Sequence, residues 1–289
     1  MVDERQNTQG AGILYVIPTP IGNLEDASPR SKRLLAEVDV IAAEDTRTAR
    51  HLLDRYEIRG PRIISYFEGN EASRSVELVR LLLEGQSIAL VSEAGTPAVS
   101  DPGQRLVLAV ADAGIQVVSI PGPSAVITAL VASGLPTQRF TFIGFLPREA
   151  GARRLELGLL RTRRETLVFY ESPERVAACL RDMCDAFGEE RPVVLGRELT
   201  KMYEEFVRGT AVELAEKYRE KAPRGECTLV VGGASDADCS EGPMDVEAAI
   251  REMLGQGLGP KDIAARLMVK TGKPRRELYQ LALSLGRER

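Results

Sequence analysis

Glu44-Asp45-Thr46-Arg47 follows directly on the apolar run Val40 to Ala43, so two carboxylates and a guanidinium stand together where a buried strand would end. Two acids and an arginine so placed suggest a polar site at a strand's carboxyl end. The same residues also suit an ordinary helix start, whose dipole favours acids. A second polar group lies in Ser92 to Gly103, reading Ser-Glu-Ala-Gly-Thr-Pro-Ala-Val-Ser-Asp-Pro-Gly. Gly95 lets backbone approach a ligand there, Pro97 and Pro102 stiffen the chain, and Glu93, Thr96, Ser100 and Asp101 offer groups to hold one. A plain turn of the same composition is the alternative. Two further loops, Pro18 to Asp26 and Pro121 to Ala125, are shaped by Pro and Gly; the first leaves Thr19, Asn23 and Asp26 to face a ligand.

Several chemistries are disfavoured by what is missing. His51 is the only histidine, and Cys179, Cys184, Cys227 and Cys239 show no CxxC pairing, so neither a histidine triad nor a zinc site is expected, and no metal is assigned. There is no G-x-x-x-x-G-K-[ST] and no G-x-G-x-x-G after a first strand, against P-loop and dinucleotide chemistry. With 289 residues, 44% hydrophobic and 28% charged, the chain has the make-up of a soluble globular protein of about two domains. No apolar run reaches a membrane span and Met1 to Gly10 lacks a signal-peptide core, so a cytoplasmic protein without membrane contact is expected.

The elements that must position these groups alternate. Strands are predicted at Ile13 to Ile17, Val40 to Ala43, Arg62 to Tyr66, Ile88 to Val91 and Gln116 to Ile120. Between them, Ser28 and Pro29 start a helix with Leu34, Leu35 and Val38 on its apolar face, and Thr46 caps one holding Leu52 and Leu53. Asn70 to Glu84 is predicted to bury Val76, Val79 and Leu83, and a further helix runs from Leu106 to Ala113. Such alternation implies a largely parallel, doubly wound sheet, in which loops at the strands' carboxyl ends carry the ligands. After Ser124 and Ala125 comes an apolar helix with Val126, Ile127, Leu130 and Val131. A second α/β unit follows, with strands at Phe140 to Phe145, Thr166 to Tyr170, Val193 to Arg197 and Cys227 to Val231.

The resulting division is a tail at 1–12, α/β domains at 13–122 and 123–235, a linker at 236–243 and a helical module at 244–289. Helices are predicted there at Val246 to Leu254, Lys261 to Met268 and Arg275 to Leu285, which suits a helix-turn-helix-like module or a small packing domain. Net charge is −4 overall, yet Met244 to Arg289 carries nine Lys or Arg against six Asp or Glu, a balance of +3 on a body of −7. Pro147 to Glu165 holds six arginines against three glutamates, a solvated helix face or a phosphate-binding one.

Thr19 to Asp26, Ala43 to Arg47, Ser92 to Gly103, Pro121 to Ala125, Gly144-Phe145-Leu146-Pro147 and Phe169-Tyr170-Glu171-Ser172 together resemble the small-subunit ribosomal RNA methyltransferase I family, a branch of the tetrapyrrole-methylase superfamily. The resemblance spans nearly the whole chain. It implies two α/β domains with S-adenosylmethionine in a cleft between them, and 2′-O-methylation of a cytidine ribose in the decoding region of small-subunit (16S) rRNA, free or in the assembled small ribosomal subunit, by a homodimer. By position it implies cofactor contacts from Pro18, Glu93, Ala94, Gly95, Thr96, Ser100, Ser124, Ala125, Tyr170, Glu171, Gly225, Glu226 and Cys227. Thr96 stands where the tetrapyrrole branch has an acid, and Glu93 where this family more often has aspartate, a displacement of the carboxylate by roughly 1.5 Å. Glu44 and Asp45 are then the candidate bases, with Arg47 and Asn23 positioning the ribose or its phosphate. Arg148, Arg153, Arg154, Lys273, Arg275 and Arg276 are candidate RNA contacts. A tetrapyrrole methylase of the same fold and a non-catalytic ribosome-assembly protein are the rival readings.

Overall fold

The computed structural model describes residues 10–236, 238 and 246–287, in two compact units, Met1–Ala125 and Val126–Arg289. Most of the expected tail, most of the linker and Cys239 lie outside the described residues. Gly12, at the end of that tail, is packed: its N–H donates to the Leu82 carbonyl at 2.7 Å, and a side chain there would strike the Gln86 carbonyl. Among the described residues no helix is long and apolar enough to cross a membrane.

In the first unit β1 (Leu14–Val16), β2 (Val40–Ala43), β3 (Arg62–Ser65), β4 (Ile88–Val91) and β5 (Val117–Ser119) form one sheet in the order β3-β2-β4-β1-β5, every pair parallel. The helices between them are α1 (Pro29–Glu37), α2 (Thr46–Arg55), α3 (Glu71–Leu83) and α4 (Gln104–Asp112). Successive strand residues point to opposite faces. Tyr15, Ile41, Ala89 and Val91 therefore pack with Leu34, Leu35 and Leu53 of α1 and α2, while Leu14, Ala42, Ile88 and Leu90 pack with Leu78, Leu82, Leu106 and Val110 of α3 and α4. Both faces are covered, which is why these strands read as unbroken apolar runs. Ser28 caps α1 by accepting from the Ser31 N–H at 3.0 Å, with Pro29 in its first turn.

Three helix details differ from expectation. Asp45, not Thr46, caps α2. Val76 and Leu83 face out from α3, at 74% and 58% exposure, and the buried stripe is Ser75, Leu78, Leu81 and Leu82. The run Leu81-Leu82-Leu83 suits either rotation of the helix. The choice falls to Ser75, whose hydroxyl meets the buried Tyr66 hydroxyl at 3.2 Å. Likewise Ile127 and Val131 are exposed on α5 (Ala125–Ser133), where Val126, Ala129 and Leu130 are buried.

The second unit holds a mixed sheet of β6 (Phe140–Phe145), β7 (Thr166–Glu171), β8 (Pro192–Arg197), β9 (Glu205–Thr210) and β10 (Cys227–Val231), in the order β6-β7-β10-β8-β9. Only β6 and β7 pair in parallel. Edge strand β9 escapes the sequence reading because Glu205-Phe-Val-Arg-Gly-Thr210 has no buried run. Helices α6 (Ala150–Leu160), α7 (Pro173–Phe187) and α8 (Ala211–Lys217) complete this layer around Leu157, Phe169, Leu180, Leu195 and Leu229. The last three helices, α9 (Val246–Gly255), α10 (Pro260–Thr271) and α11 (Arg275–Arg287), enclose Ile250, Ile263, Leu267 and Leu278, with Leu155 of α6 packed against them. The helical module is thus fastened to the arginine-bearing helix.

Replacing Leu82 with Ala, where exposure is 0%, is expected to lower the unfolding free energy by about 2–5 kcal/mol. Leu83→Ala, one residue along, should stay within about 0.5 kcal/mol. Urea denaturation of both variants checks the rotation assigned to α3.

Candidate active site

The loops at the carboxyl end of the first sheet converge because β4 lies between β2 and β1. β1 and β2 lead into helices on one face and β4 into a helix on the other, which opens a crevice at that edge. Thr19 and Gly95 join the β1 and β4 loops through reciprocal backbone hydrogen bonds of 2.9 and 3.0 Å. The buried Thr19 hydroxyl donates to the Ser92 carbonyl at 3.2 Å, and Thr96 Oγ1 donates to the Pro123 carbonyl at 3.0 Å, tying in the β5 loop. Gly122 presses on Pro18, whose Cβ lies 2.8 Å from where a side chain would start. These contacts bring Pro18, Glu93, Ala94, Gly95, Thr96 and Ser124 to one edge of one unit.

The Ser92 to Gly103 loop is bent by four residues in the left-handed region: Gly95 (φ 81°), Ala98 (φ 67°), Ser100 (φ 63°) and Gly103 (φ 148°). At Ala98 and Ser100 such a conformation costs on the order of 1–3 kcal/mol each, so neighbours must hold it. Glu71 of α3 does so, its Oε1 accepting from the Gly103 N–H at 3.0 Å and from the Tyr66 hydroxyl at 3.2 Å. The fold in the loop carries Asp101 back toward Glu44. Both line a cavity of about 740 Å³ with Glu68, Glu71, Ser100 and Arg105. A second cavity, of about 410 Å³, is lined by Thr19, Ile21, Thr48, His51 and Glu93.

The carboxylates here have different surroundings. Asp45 accepts from the Arg47 N–H at 2.7 Å and from its guanidinium at 2.7 and 3.2 Å, and these bonds hold it down to a pKa of about 2. With its oxygens so engaged it is a poor proton acceptor near neutrality. Glu44 is raised, first by burial and then by the Glu93 charge, although the Glu93 N–H bonds to it. Asp101 is pushed up to about 6 by burial and by the Glu44 charge. Asn23 turns its amide oxygen inward to its own loop, accepting from the Glu25 N–H at 3.0 Å. The sequence marked Asp101 only as one polar group of its loop; a backbone reversal at two non-glycine residues has no composition signal.

In the second unit, Tyr170 and Glu171 end β7, and Cys227, opening β10, pairs in register with Glu171 beside Gly225 and Glu226. The Glu171 side chain is buried, Oε1 accepting from the Ser172 N–H at 2.8 Å and facing Arg175 Nε at 3.2 Å, while Oε2 has no hydrogen-bond partner. Among the expected RNA contacts Arg148, Lys273, Arg275 and Arg276 are exposed and Arg154 half-buried. Arg153 is a correction: it is buried on α6, its Nε donating to Asp182 Oδ2 of α7 at 2.7 Å, and cannot meet a nucleic acid.

The family model for tetrapyrrole (corrin/porphyrin) methylases matches residues 13–215. A ribosomal RNA small subunit methyltransferase I from Synechocystis is 44% identical over 275 residues, 95% of this chain and 98% of its own length. Its counterpart from Mycobacterium tuberculosis is 45% identical over 96% of this chain and 97% of its own. The chain belongs to the methyltransferase I family of tetrapyrrole methylases. A solved uroporphyrin-III C-methyltransferase from Thermus thermophilus, complexed with S-adenyl homocysteine, shares the fold, with a TM-score of 0.53 at 19% identity over 76% of this chain and 97% of that one. As a member of the methyltransferase I family the chain is a methyltransferase, and its edge of clustered acids suits a cationic ligand.

Folded Asp101 keeps its proton up to about pH 6, whereas an unstrained aspartate releases it near 3.8. Its ionisation therefore destabilises the folded chain, and that cost fades as pH falls through 6. Asp101→Asn should melt higher than the parent at pH 7, with the difference shrinking toward pH 5. A constant difference across that range in thermal melts would show that Asp101 ionises freely.

Proposed function

We propose that this chain transfers a methyl group from S-adenosylmethionine to the ribose 2′-hydroxyl of a cytidine in the decoding region of 16S rRNA, acting in the cytoplasm as a homodimer. The observation that carries the substrate is the reach of the relatives named for ribosomal RNA, whose alignment covers 95–96% of the chain, the basic helical module included. A tetrapyrrole substrate has no use for such a module.

The residues present fit the cofactor on one physical ground: Glu44, Glu93 and Asp101 set a negative potential at the carboxyl edge, which favours a sulfonium. Glu93, Ala94, Gly95, Thr96 and Ser100, with Pro18, Ser124 and Ala125, are the first unit's contribution to holding it. When bound, it would supply an electrophilic methyl carbon, to which the ribose oxygen would bond as the carbon–sulfur bond breaks in line and a neutral thioether leaves. The chain's own task is to hold the hydroxyl in that line and take its proton. Asp101 is the proton acceptor, poised near 6, with Glu44 beside it sharing the charge. Arg47, anchored by Asp45, turns its guanidinium outward to a phosphate next to the target ribose.

Labelled methyl transfer to assembled small subunits, naked rRNA and a corrin precursor tests the reading; methylation of the corrin alone would sink it. Asp101→Asn is expected to cut kcat about 100-fold and to abolish the fall in rate as pH drops through 6, with cofactor affinity retained. Asp45→Asn should leave that acid limb in place.

RNA contact is assigned to Arg148, Arg154, Lys273, Arg275 and Arg276. Replacing Lys273, Arg275 and Arg276 by Ala should weaken RNA binding and reduce the slope of log Kd against log salt by about 2–3. An unchanged slope would place the RNA elsewhere.

A further inference from the structure

The turn between β8 and β9 spends strain on presenting two apolar side chains to water. Glu198 (φ 51°) and Thr200 (φ 64°) both lie in the left-handed region, which a β-branched residue such as threonine rarely enters. The turn is locked from every side. Glu204 Oε2 accepts from the Thr200 N–H at 2.7 Å, and Lys201 Nζ donates to Glu198 Oε1 at 2.9 Å and to Glu226 Oε2 at 3.1 Å. The Glu198 N–H donates to the Glu226 carbonyl at 3.0 Å, and the Glu226 N–H returns a bond to Glu198 Oε1 at 3.1 Å. Gly225 leaves room for the Glu198 side chain, which any Cβ there would strike. Leu199 is buried and anchors the turn from below.

At the top of this locked turn stand Met202, 90% exposed, and Tyr203, 69% exposed. Neither contributes to a core. Lys201 is held by Glu198 and Glu226, Glu204 accepts from the Thr200 N–H, and Arg197 is held by Glu205 at 2.6 Å. In the adjoining segment before β10, Lys221 and Arg224 are exposed and enter no ion pair among the described residues. What remains for a partner is an aromatic face, a thioether and two cations. Single-stranded RNA is recognised by that combination, a base stacked on an aromatic ring with a cation on the neighbouring phosphate. A second copy of this chain is disfavoured as the occupant, since two side chains fall well short of the roughly 800 Å² per partner of a stable interface.

We infer that Tyr203, supported by Met202, is a stacking platform for an unpaired base of the RNA substrate, with Lys221 and Arg224 holding the adjoining phosphate. This rests on the RNA reading above and adds to it a contact with no part in the chemistry.

The chain has no tryptophan, so Tyr203→Trp creates a sole indole reporter at the tip. In the full-length protein, indole fluorescence should be quenched on titration with a fluorescein-free single-stranded oligoribonucleotide copying the decoding region. In parallel, Tyr203→Ala should raise the Kd for a fluorescein-labelled copy of that RNA, read by anisotropy, by about tenfold, as loss of one stacked base implies. Tyr203→Phe should bind like the parent, and melting temperature and S-adenosylmethionine affinity should not move in any of the three. Unquenched indole with RNA bound, or an unchanged Kd for Tyr203→Ala, overturns the platform alone. A parent protein that binds no RNA overturns the RNA reading as well. Loss of RNA binding accompanied by a changed sedimentation coefficient would reassign the tip to contact between copies.

Discussion

Strand β4 sits between β1 and β2 and departs to the opposite side of the sheet, and the meeting of the first unit's polar loops depends on that placement. Loops that would otherwise run over separate faces meet at one edge, and the Thr19–Gly95 backbone pair fixes how they meet. Glu44 from the end of β2 and Asp101 from the β4 loop then share one partly dry space, where burial raises both and the Glu44 charge raises Asp101 further. Asp45, two bonds deep in Arg47, shows what the same residue type becomes when a cation reaches it first.

The fold was largely legible because its strands are buried on both faces. Val40–Ala43 and Ile88–Val91 read as continuous apolar runs and fall where they read. What was not legible is where burial is partial or doubly allowed. The rotation of α3 depended on a serine finding a tyrosine hydroxyl, and β9 alternates without a clear apolar side. Arg153 looked like its neighbours in an arginine-rich helix; its burial against α7, with Asp182 at 2.6 Å, distinguishes it from Arg154, which faces the same acid at 3.9 Å from a half-exposed position. Residue types and strand-end placement in the sequence were enough to name the polar loops that meet at the sheet edge. The division of labour among carboxylates was out of reach, since it depends on distances and on water exclusion that spacing along the chain does not encode.

The two units use polar groups differently. In the first, acids gather at the open edge and remain under-neutralised. In the second, charges are mostly spent internally, Arg153 on Asp182 and Lys201 on Glu198 and Glu226. A buried pair such as Arg153–Asp182 adds little net stability over apolar packing but is costly to break singly. These pairs fix positions, and around the β8–β9 turn the position fixed is that of exposed side chains.

The Ser92 to Gly103 loop owes its shape to bonds it makes within the protein: the Gly95 N–H is already given to Thr19 and the Gly103 N–H to Glu71. A ligand arriving at such a floor has no segment to fold. The Gly95 and Gly103 amide hydrogens would accordingly exchange slowly with solvent even before binding, and the heat capacity change on binding would follow the apolar area covered, without the added increment that coupled folding brings.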